Sequence, residues 1–184
     1  MMKKQYNVIG DYMEKLKRIV KECIPYVIII SVVVLVRCFL ITPVRVSGPS
    51  MKPTLKNGEI VLLEKVDKNY ERFDIVVLKS FGERIIKRII GLPGEYVEYK
   101  NSKLYINDKE VEEKFISGIS FEDFGLIDIK YIEIPKDMYF VVGDNRNNST
   151  DSRIIGLIKK EDIQGKVIFR LFPFNKIGKI KKGS

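Results

Sequence analysis

The feature that most constrains the fold is an apolar run over residues 24–41, which holds 18 residues and a single charge, Arg37. A helix rises about 1.5 Å per residue, so this run would extend roughly 27 Å, close to the thickness of a bilayer's hydrocarbon core. Arg37 stands near the end of the run, where a long side chain can extend to the membrane interface. The run therefore predicts a membrane-spanning helix; a buried core helix and the apolar part of a signal peptide are the alternatives.

The residues around the run favour an anchor that stays attached. A cleaved signal peptide normally ends in small residues of the Ala-x-Ala kind, but the chain contains no alanine and continues as Thr-Pro-Val-Arg. Basic residues outnumber acidic ones ahead of the run, which favours a cytoplasmic N-terminus. We expect a basic, amphipathic cytoplasmic segment over residues 1–23, a membrane anchor over 24–42, and an extracytoplasmic domain over 43–184.

The charge and composition narrow the choice of partners. The formal charge of +9 would attract nucleic acids and anionic membrane surfaces alike. The basic residues are spread along the chain without zinc-finger spacing or a recognition-helix pattern, so no nucleic-acid partner is expected. Histidine is absent, and the two cysteines, Cys23 and Cys38, lie beside or inside the apolar run. Few ligands remain for a transition metal, and we expect neither a metal nor another cofactor.

Beyond the anchor, short runs of β-branched and aromatic residues alternate with turn residues. This pattern predicts a mainly β domain with antiparallel strands, which can be arranged as a pair of packed sheets. The predicted strands cover residues 59–66, 73–79, 84–92, 96–99, 104–106, 131–134, 138–142 and 166–172. The stretch from about 107 to 130 has the weakest pattern and is predicted to form a small excursion or lobe.

Ser50 is the first candidate for chemistry. It lies in the segment Ser-Gly-Pro-Ser-Met-Lys-Pro-Thr-Leu, residues 47–55, shortly after the apolar run. A serine nucleophile needs a neighbouring base to accept its proton, and the usual base is imidazole. Because the chain has no histidine, the base for Ser50 must be a carboxylate, a tyrosinate or a neutral lysine.

Lys87 is the candidate base. In the predicted strand over residues 84–92, Lys87 shares one face with isoleucines and Arg88 shares the other. An arginine stays protonated, whereas a lysine loses its proton when apolar burial penalises the charge. A pKa decrease of about three units, worth roughly 4 kcal/mol, would make a lysine substantially neutral near pH 7. The pattern fits an ordinary lysine on a solvent-facing edge strand equally well.

A third segment, residues 143–153, reads Gly-Asp-Asn-Arg-Asn-Asn-Ser-Thr-Asp-Ser-Arg. One interpretation is a solvated, turn-rich loop. The other is a supporting layer, in which hydroxyls and a carboxylate–guanidinium pair orient Lys87. Composition alone does not choose between them.

Taken together, the three segments resemble the bacterial type I signal peptidases, the leader peptidase family, in the compact form of Gram-positive bacteria. These are membrane-anchored enzymes that remove signal peptides from exported proteins. The matching stretches are residues 47–55, 87–95 and 143–153, in the family's order behind an N-terminal anchor, and the similarity extends through residues 165–170. The resemblance covers essentially the whole chain and implies a catalytic domain built from two antiparallel sheets.

The resemblance also implies roles for individual residues. Ser50 would be the nucleophile and Lys87 the general base, Ser149 would hydrogen-bond Lys87, and Asp151 and Arg153 would form a supporting ion pair. The positions that would line pockets for small substrate side chains are Val46, Met51, Leu55 and Ile86.

One position departs from part of the family. Gly48 stands where some members carry a serine whose hydroxyl helps to hold the oxyanion. The Ser50 backbone N–H then remains the expected oxyanion donor.

The expected function is therefore cleavage of signal peptides after small residues, through an acyl-enzyme, by a membrane-anchored Ser/Lys peptidase. Its partners would be the signal peptides of preproteins and the lipid bilayer, and a monomer is the expected state. Two alternatives remain at this stage. A repressor-type Ser/Lys autoprotease would need a DNA-binding head where this chain has its apolar run. A catalytically inactive, membrane-tethered binding module would be expected to have lost Ser50 or Lys87.

Overall fold

The computed structural model describes residues 2–80, 82–116, 118–180 and 182, without the side chains of residues 2–12 and 37–39. Helix α1 covers Met2–Phe39, and its segment Met13–Val36 is long and apolar enough to cross a membrane, with a mean hydropathy of 2.4. None of that segment is buried within the chain, as expected for a surface that contacts lipid. The side chain of Arg37, expected to reach the interface, lies outside the described residues. Residues 41–184 form a second compact unit.

This second unit is mainly β with two antiparallel sheets, which confirms the predicted fold class. Among the described residues, eight strands belong to the larger sheet: β1 (Ile41–Arg45), β2 (Ile60–Glu64), β3 (Ile75–Ser80), β4 (Glu83–Gly91), β9 (Met138–Val142), β10 (Ile158–Lys159), β11 (Ile163–Phe172) and β12 (Gly178–Lys179). Their spatial order is β1-β2-β11-β3-β4-β9-β10, with β12 paired to β11.

The smaller sheet and the short helices complete this unit. In the described chain the smaller sheet has the order β7-β6-β5-β8, formed by β5 (Val97–Lys100), β6 (Lys103–Ile106), β7 (Lys109–Val111) and β8 (Phe124–Gly125). A single-turn helix, α2, spans Ser152–Ile155. Turns of 3₁₀ helix occur at Lys114–Ile116, Leu126–Ile129, Lys160–Asp162 and Phe174–Lys176.

The interior strands of the larger sheet are buried on both faces. Residues 75–78 of β3 and 86–91 of β4 are all buried, so these strands show continuous burial rather than strict alternation. One apolar cluster lies around β2, β3 and the turn after β1, a second joins β3, β9 and β11, and a third joins β4 and β9 to the smaller sheet. The apolar cover on both sides explains how a cation on β4 can be removed from water.

Several elements differ from the sequence prediction. Residues 131–134 form no ladder; Ile134 instead exchanges two isolated backbone hydrogen bonds with Gly94 and Glu95, and Pro135 follows at once. Strand β1 was not predicted, because Ile41 and Thr42 were counted with the apolar run. The two- and three-residue strands β7, β8, β10 and β12 are too short to show a periodic pattern.

Candidate active site

Ser50 lies in the connection between β1 and β2. The two arms of this connection are joined by backbone hydrogen bonds from Val46 N to Glu59 O (2.8 Å) and from Gly58 N to Val46 O (2.9 Å). The residue after Ser50, Met51, is 1 % exposed and starts a turn closed at 2.8 Å by the Leu55 amide. Ser50 itself is only partly buried. The loop is therefore held by buried neighbours while Ser50 stays accessible.

Lys87 lies on the interior strand β4, paired with Val76 of β3, and is 3 % exposed. This burial excludes the solvent-facing, edge-strand interpretation. Within the described part of the chain, its amine has no hydrogen bond or ion pair. Burial lowers the pKa of Lys87 from its ordinary value of 10.5, helped by the nearby charge of Arg153 and opposed by the carboxylates of Asp151 and Asp144.

Gly143 is the point at which the three candidate segments meet. In the antiparallel ladder Arg88 of β4 pairs with Val142, the last residue of β9, so Lys87 and Gly143 are the next residues of the two chains beyond that pair. A Cβ atom on Gly143 would lie 2.5 Å from the Ser50 carbonyl oxygen and even nearer to the hydroxyl of Ser149. The structure thus brings the backbone of Ser50, the strand position of Lys87 and the side chain of Ser149 around one glycine.

The loop after β9 is joined directly to the Ser50 loop. The Asn145 amide donates a hydrogen bond to the Ser50 carbonyl at 2.9 Å, and the Asn145 side chain donates to the Pro49 carbonyl at 3.2 Å. These bonds fix the peptide units on either side of Ser50. The position of Ser50 therefore depends on the loop over residues 143–153.

Asp151 and Arg153 form a bidentate ion pair in the same loop. The Arg153 Nε and Nη2 atoms each donate to Asp151 at 2.8 Å, and the Gly143 amide donates to the same carboxylate at 3.0 Å. Burial would raise the pKa of Asp151, but the hydrogen bonds from Arg153 and Gly143 outweigh it and hold the pKa below its ordinary value. The charged carboxylate thus helps to keep Gly143 in place.

Ser149 has a buried hydroxyl that makes no hydrogen bond of good geometry among the described residues. The bond from Ser149 to Lys87 expected from the family resemblance is therefore not formed in this structure. The hydroxyl lies near enough to Asp151 to contribute a small part of the lowering of that carboxylate's pKa. The hydroxyl also lies against Gly143.

The family described as "Signal peptidase, peptidase S26" matches residues 16–172. The chain belongs to this family. A signal peptidase I from Bacillus amyloliquefaciens is 44 % identical over 169 residues, which cover 84 % of this chain and 89 % of that relative. Signal peptidase I S from Bacillus subtilis is 40 % identical over 185 residues, covering 92 % and 98 %.

A solved structure agrees with this assignment. The crystal structure of a signal peptidase I from Enterococcus faecalis has a TM-score of 0.52 to this chain and is 38 % identical. It covers 54 % of this chain, and 97 % of the solved chain is matched. The family predicted from the sequence segments is confirmed.

Within this member of the family, Arg88 forms a buried ion pair that the sequence reasoning missed. Arg88 Nε and Nη2 donate to Asp144 at 2.8 and 2.7 Å, and both side chains are 0 % exposed. Arg88 also donates to the Phe73 carbonyl at 2.9 Å and to the Thr54 hydroxyl at 3.3 Å. A signal existed: an arginine in a strand with two apolar faces requires a carboxylate partner.

A second buried arginine, Arg146, was also missed. Its Nη1 and Nη2 donate to Glu113 at 3.0 and 2.6 Å, and its Nε donates to the Gly143 carbonyl at 3.2 Å. The Tyr99 hydroxyl donates to the same carboxylate at 2.9 Å. Glu113 lies in the stretch with the weakest sequence pattern, so no periodicity could have identified it.

The four residues predicted to line substrate pockets share one apolar cluster. All are less than 9 % exposed in the free chain: Val46, Met51, Leu55 and Ile86. They surround the turn that carries Ser50. Among the described residues, no group of three or more histidine, cysteine, aspartate or glutamate side chains is arranged to hold a metal ion.

Proposed function

We propose that Ser50 and Lys87 form the catalytic dyad with which this serine endopeptidase cleaves signal peptides from exported preproteins. Family membership supports the reaction, and the burial of Lys87 supports the dyad most directly. An unpaired amine on a lysine that is only 3 % exposed, next to the segment that carries Ser50, is a base ready to accept a proton. Because Ser50 and Lys87 are both present with this environment, an inactive binding module is not favoured.

The proposed reaction proceeds in two halves. Neutral Lys87 removes the Ser50 hydroxyl proton while Ser50 Oγ attacks the carbonyl carbon of the small residue that precedes the cleaved bond. The Ser50 backbone N–H donates to the developing oxyanion. Lys87 then passes the proton to the departing amine, leaving the signal peptide as an ester on Ser50. In the second half Lys87 takes a proton from water, and the hydroxide attacks the ester carbonyl carbon. The bond to Ser50 Oγ breaks, Lys87 returns the proton to that oxygen, and the signal peptide leaves with a free carboxylate.

Two arginines offset the charges of the surrounding carboxylates, which would otherwise stabilise the protonated form of Lys87. Asp144 and Asp151 are near enough to raise the pKa of Lys87, which would favour the charged and inactive amine. Each carboxylate is instead paired with an arginine, Asp144 with Arg88 and Asp151 with Arg153. The net charge near the amine is thereby reduced, and the effect of burial prevails.

Substrate selection follows from the cluster around the nucleophile turn. We propose that Val46, Met51, Leu55 and Ile86 provide the walls for the residues before the cleaved bond. Walls that are already packed to less than 9 % exposure leave space only for small side chains. The Ser50 loop would then bind short side chains and reject bulky ones.

Helix α1 would determine where in the cell the enzyme acts. We propose that its apolar segment Met13–Val36 spans the cell membrane, with the N-terminus cytoplasmic and the domain over residues 43–184 outside. A signal peptide is itself inserted in the bilayer, so a common membrane raises the effective concentration of the two partners.

A cleavage assay on a preprotein tests the dyad. We expect Ser50→Ala and Lys87→Ala each to lower kcat by roughly a hundredfold or more, because general acid–base catalysis and the nucleophile are lost. Lys87→Arg should fail as well, since it preserves charge but removes the base. The matched control is Lys79→Ala, an exposed lysine on the neighbouring strand β3, which should cleave at the normal rate. Near-normal turnover by Lys87→Ala would refute the assignment.

A further inference from the structure

Two buried arginines next to the proposed dyad are contacted by the same short segment. Arg88 follows Lys87 on β4, and Arg146 lies in the loop that begins at Gly143. Glu113 pairs with Arg146, and the ring of Phe115 lies against Arg88. We call residues 113–115 the clamp segment. It belongs to the weakly patterned stretch from about 107 to 130, which also contains strands β7 and β8 of the smaller sheet. This stretch lies outside the motifs that identify the family.

The contact between Glu113 and Arg146 is dry and charged. The Arg146 side chain is 0 % exposed and that of Glu113 is 6 % exposed, and two hydrogen bonds join them. The aromatic rings of Tyr99 and Phe121 lie 4.9 and 5.2 Å from the guanidinium carbon. A buried guanidinium without its carboxylate is strongly unfavourable, so this pair fixes where Arg146 can be.

Arg146 transmits that position to Gly143. Its Nε donates to the Gly143 carbonyl, and its own carbonyl accepts a bond of 2.7 Å from Arg153. The Gly143 amide in turn donates to Asp151. Two hydrogen bonds therefore separate the Glu113 carboxylate from the residue against which Ser50 and Ser149 pack.

Phe115 acts on the other arginine. The Arg88 guanidinium carbon lies 3.8 Å from the centre of the Phe115 ring, within the range of a cation–π contact. The ring also meets Phe73 at 5.3 Å, the residue whose carbonyl accepts a bond from Arg88. The guanidinium is thus held between the Asp144 carboxylate, the Phe73 carbonyl and an aromatic face.

We infer that Glu113 and Phe115 are positioning residues of the clamp segment, which keep the Lys87 amine neutral by holding Arg146 and Arg88 in the network that includes Asp151 and Asp144. The inference rests on the proposed Ser50/Lys87 dyad and deepens it. Neither residue contacts the reacting atoms. If Glu113 loses its charge, Arg146 turns toward water and the Gly143 carbonyl loses its donor, so the Gly143 amide no longer helps to hold Asp151 against Arg153. The less compensated Asp151 carboxylate then brings the pKa of the Lys87 amine back toward its ordinary value.

The test compares Glu113→Gln with Glu112→Gln, the exposed neighbour, in the full chain in detergent micelles. The kinetic constants kcat and KM for a preprotein are measured across a range of pH. At pH values below its pKa, an amine whose pKa rises by about one unit has a neutral fraction that is about tenfold smaller. We expect Glu113→Gln to shift the acidic limb of the plot of kcat/KM against pH to higher pH, by about one unit. KM should stay near normal, and Glu112→Gln should keep the profile of the unmodified chain.

Phe115→Leu gives an independent reading if Glu113→Gln fails to fold. It keeps apolar volume but removes the aromatic face from Arg88, and should shift the acidic limb in the same direction. An acidic limb that stays in place in every folded clamp variant, with activity falling only as the folded fraction falls, would overturn the inference. Lys87→Ala run in parallel separates the two proposals. If Lys87→Ala is inactive and the clamp variants keep an unshifted pH profile, the role of the clamp segment is refuted and the dyad stands. If Lys87→Ala cleaves at the normal rate, the dyad itself is refuted.

Discussion

Gly143 has no room for a side chain. A Cβ atom there would lie 2.5 Å from the Ser50 carbonyl oxygen and 2.7 Å from Ser149 Cβ. The first of these atoms belongs to the backbone, which cannot turn aside as the end of a flexible side chain can. Any residue larger than glycine must therefore displace the main chain of the proposed nucleophile.

Gly143→Ala should lower kcat by roughly a hundredfold, because a displacement of about 1 Å at the reacting groups costs that much. Overpacking should also destabilise the fold by about 1–3 kcal/mol. Preprotein cleavage and thermal unfolding of the full chain in micelles measure the two effects. The control is Gly178→Ala, where an added Cβ would have no atom within 4 Å. Equal kcat values for the two variants would contradict the expected displacement.

At the scale of single residues, the sequence indicated the candidate catalytic residues better than it indicated the partners that hold them in place. Isoleucines on both sides of Lys87 suggested burial, but the alternation does not reveal whether a strand lies inside a sheet or at its edge. That depends on β3 and β9 pairing with β4 across long sequence distances. The partners of Arg88 and Arg146 were hidden for the same reason.

The loop over residues 143–153 behaves as one element because of Asp151. This carboxylate accepts bonds from the Gly143 amide at one end of the loop and from Arg153 at the other. Its pKa is lower in the folded protein than the ordinary value of 3.8. The stabilisation from its charge is therefore present above about pH 4 and is lost as the pH falls through the lowered pKa of the folded state.

Asp151→Asn should remove this pH dependence. At pH 7 we expect the variant to be about 2–3 kcal/mol less stable, since Arg153 loses a charged hydrogen-bond partner in a largely buried site. The difference from the unmodified chain should shrink as the pH falls below 4. Denaturant unfolding at several pH values measures it. Asp123→Asn, which changes an exposed carboxylate, is the control, and a gap that stays constant down to low pH would contradict the linkage.

The longer strands could be predicted because their β-branched runs are marked by turn residues at both ends. The clamp segment could not, since buried charges rather than periodic apolar residues hold it. The predicted strand over residues 131–134 failed for a related reason: a buried isoleucine with two backbone bonds resembles a strand in sequence without forming a ladder.

The whole molecule joins an apolar helix to a β domain, and only the second carries the proposed chemistry. The two-sheet architecture and the family were accessible from sequence, because three ordered motifs behind an apolar run are specific. The apolar length of α1 was equally visible, whereas the strand that begins at Ile41 was not.

Removing residues 1–40, which leaves strand β1 intact, should weaken cleavage of membrane-inserted preproteins by roughly a hundredfold, because the common surface no longer concentrates the partners. Cleavage of a short soluble peptide should fall much less. Comparing kcat/KM for both substrates in the same vesicles measures the difference. An unrelated apolar helix of equal length in place of Met13–Val36 should restore the rate. Equal losses on both substrates would show that α1 does more than tether.

The fully enclosed pair of Arg88 and Asp144 also limits how such a chain can evolve. A mutation at either position strands a lone charge in the interior, at a cost of about 3–5 kcal/mol, comparable to the whole stability margin of many domains. Drift at one position is therefore blocked until the other changes in the same lineage. The two positions are therefore expected to change together or not at all, although they are 56 positions apart in the sequence.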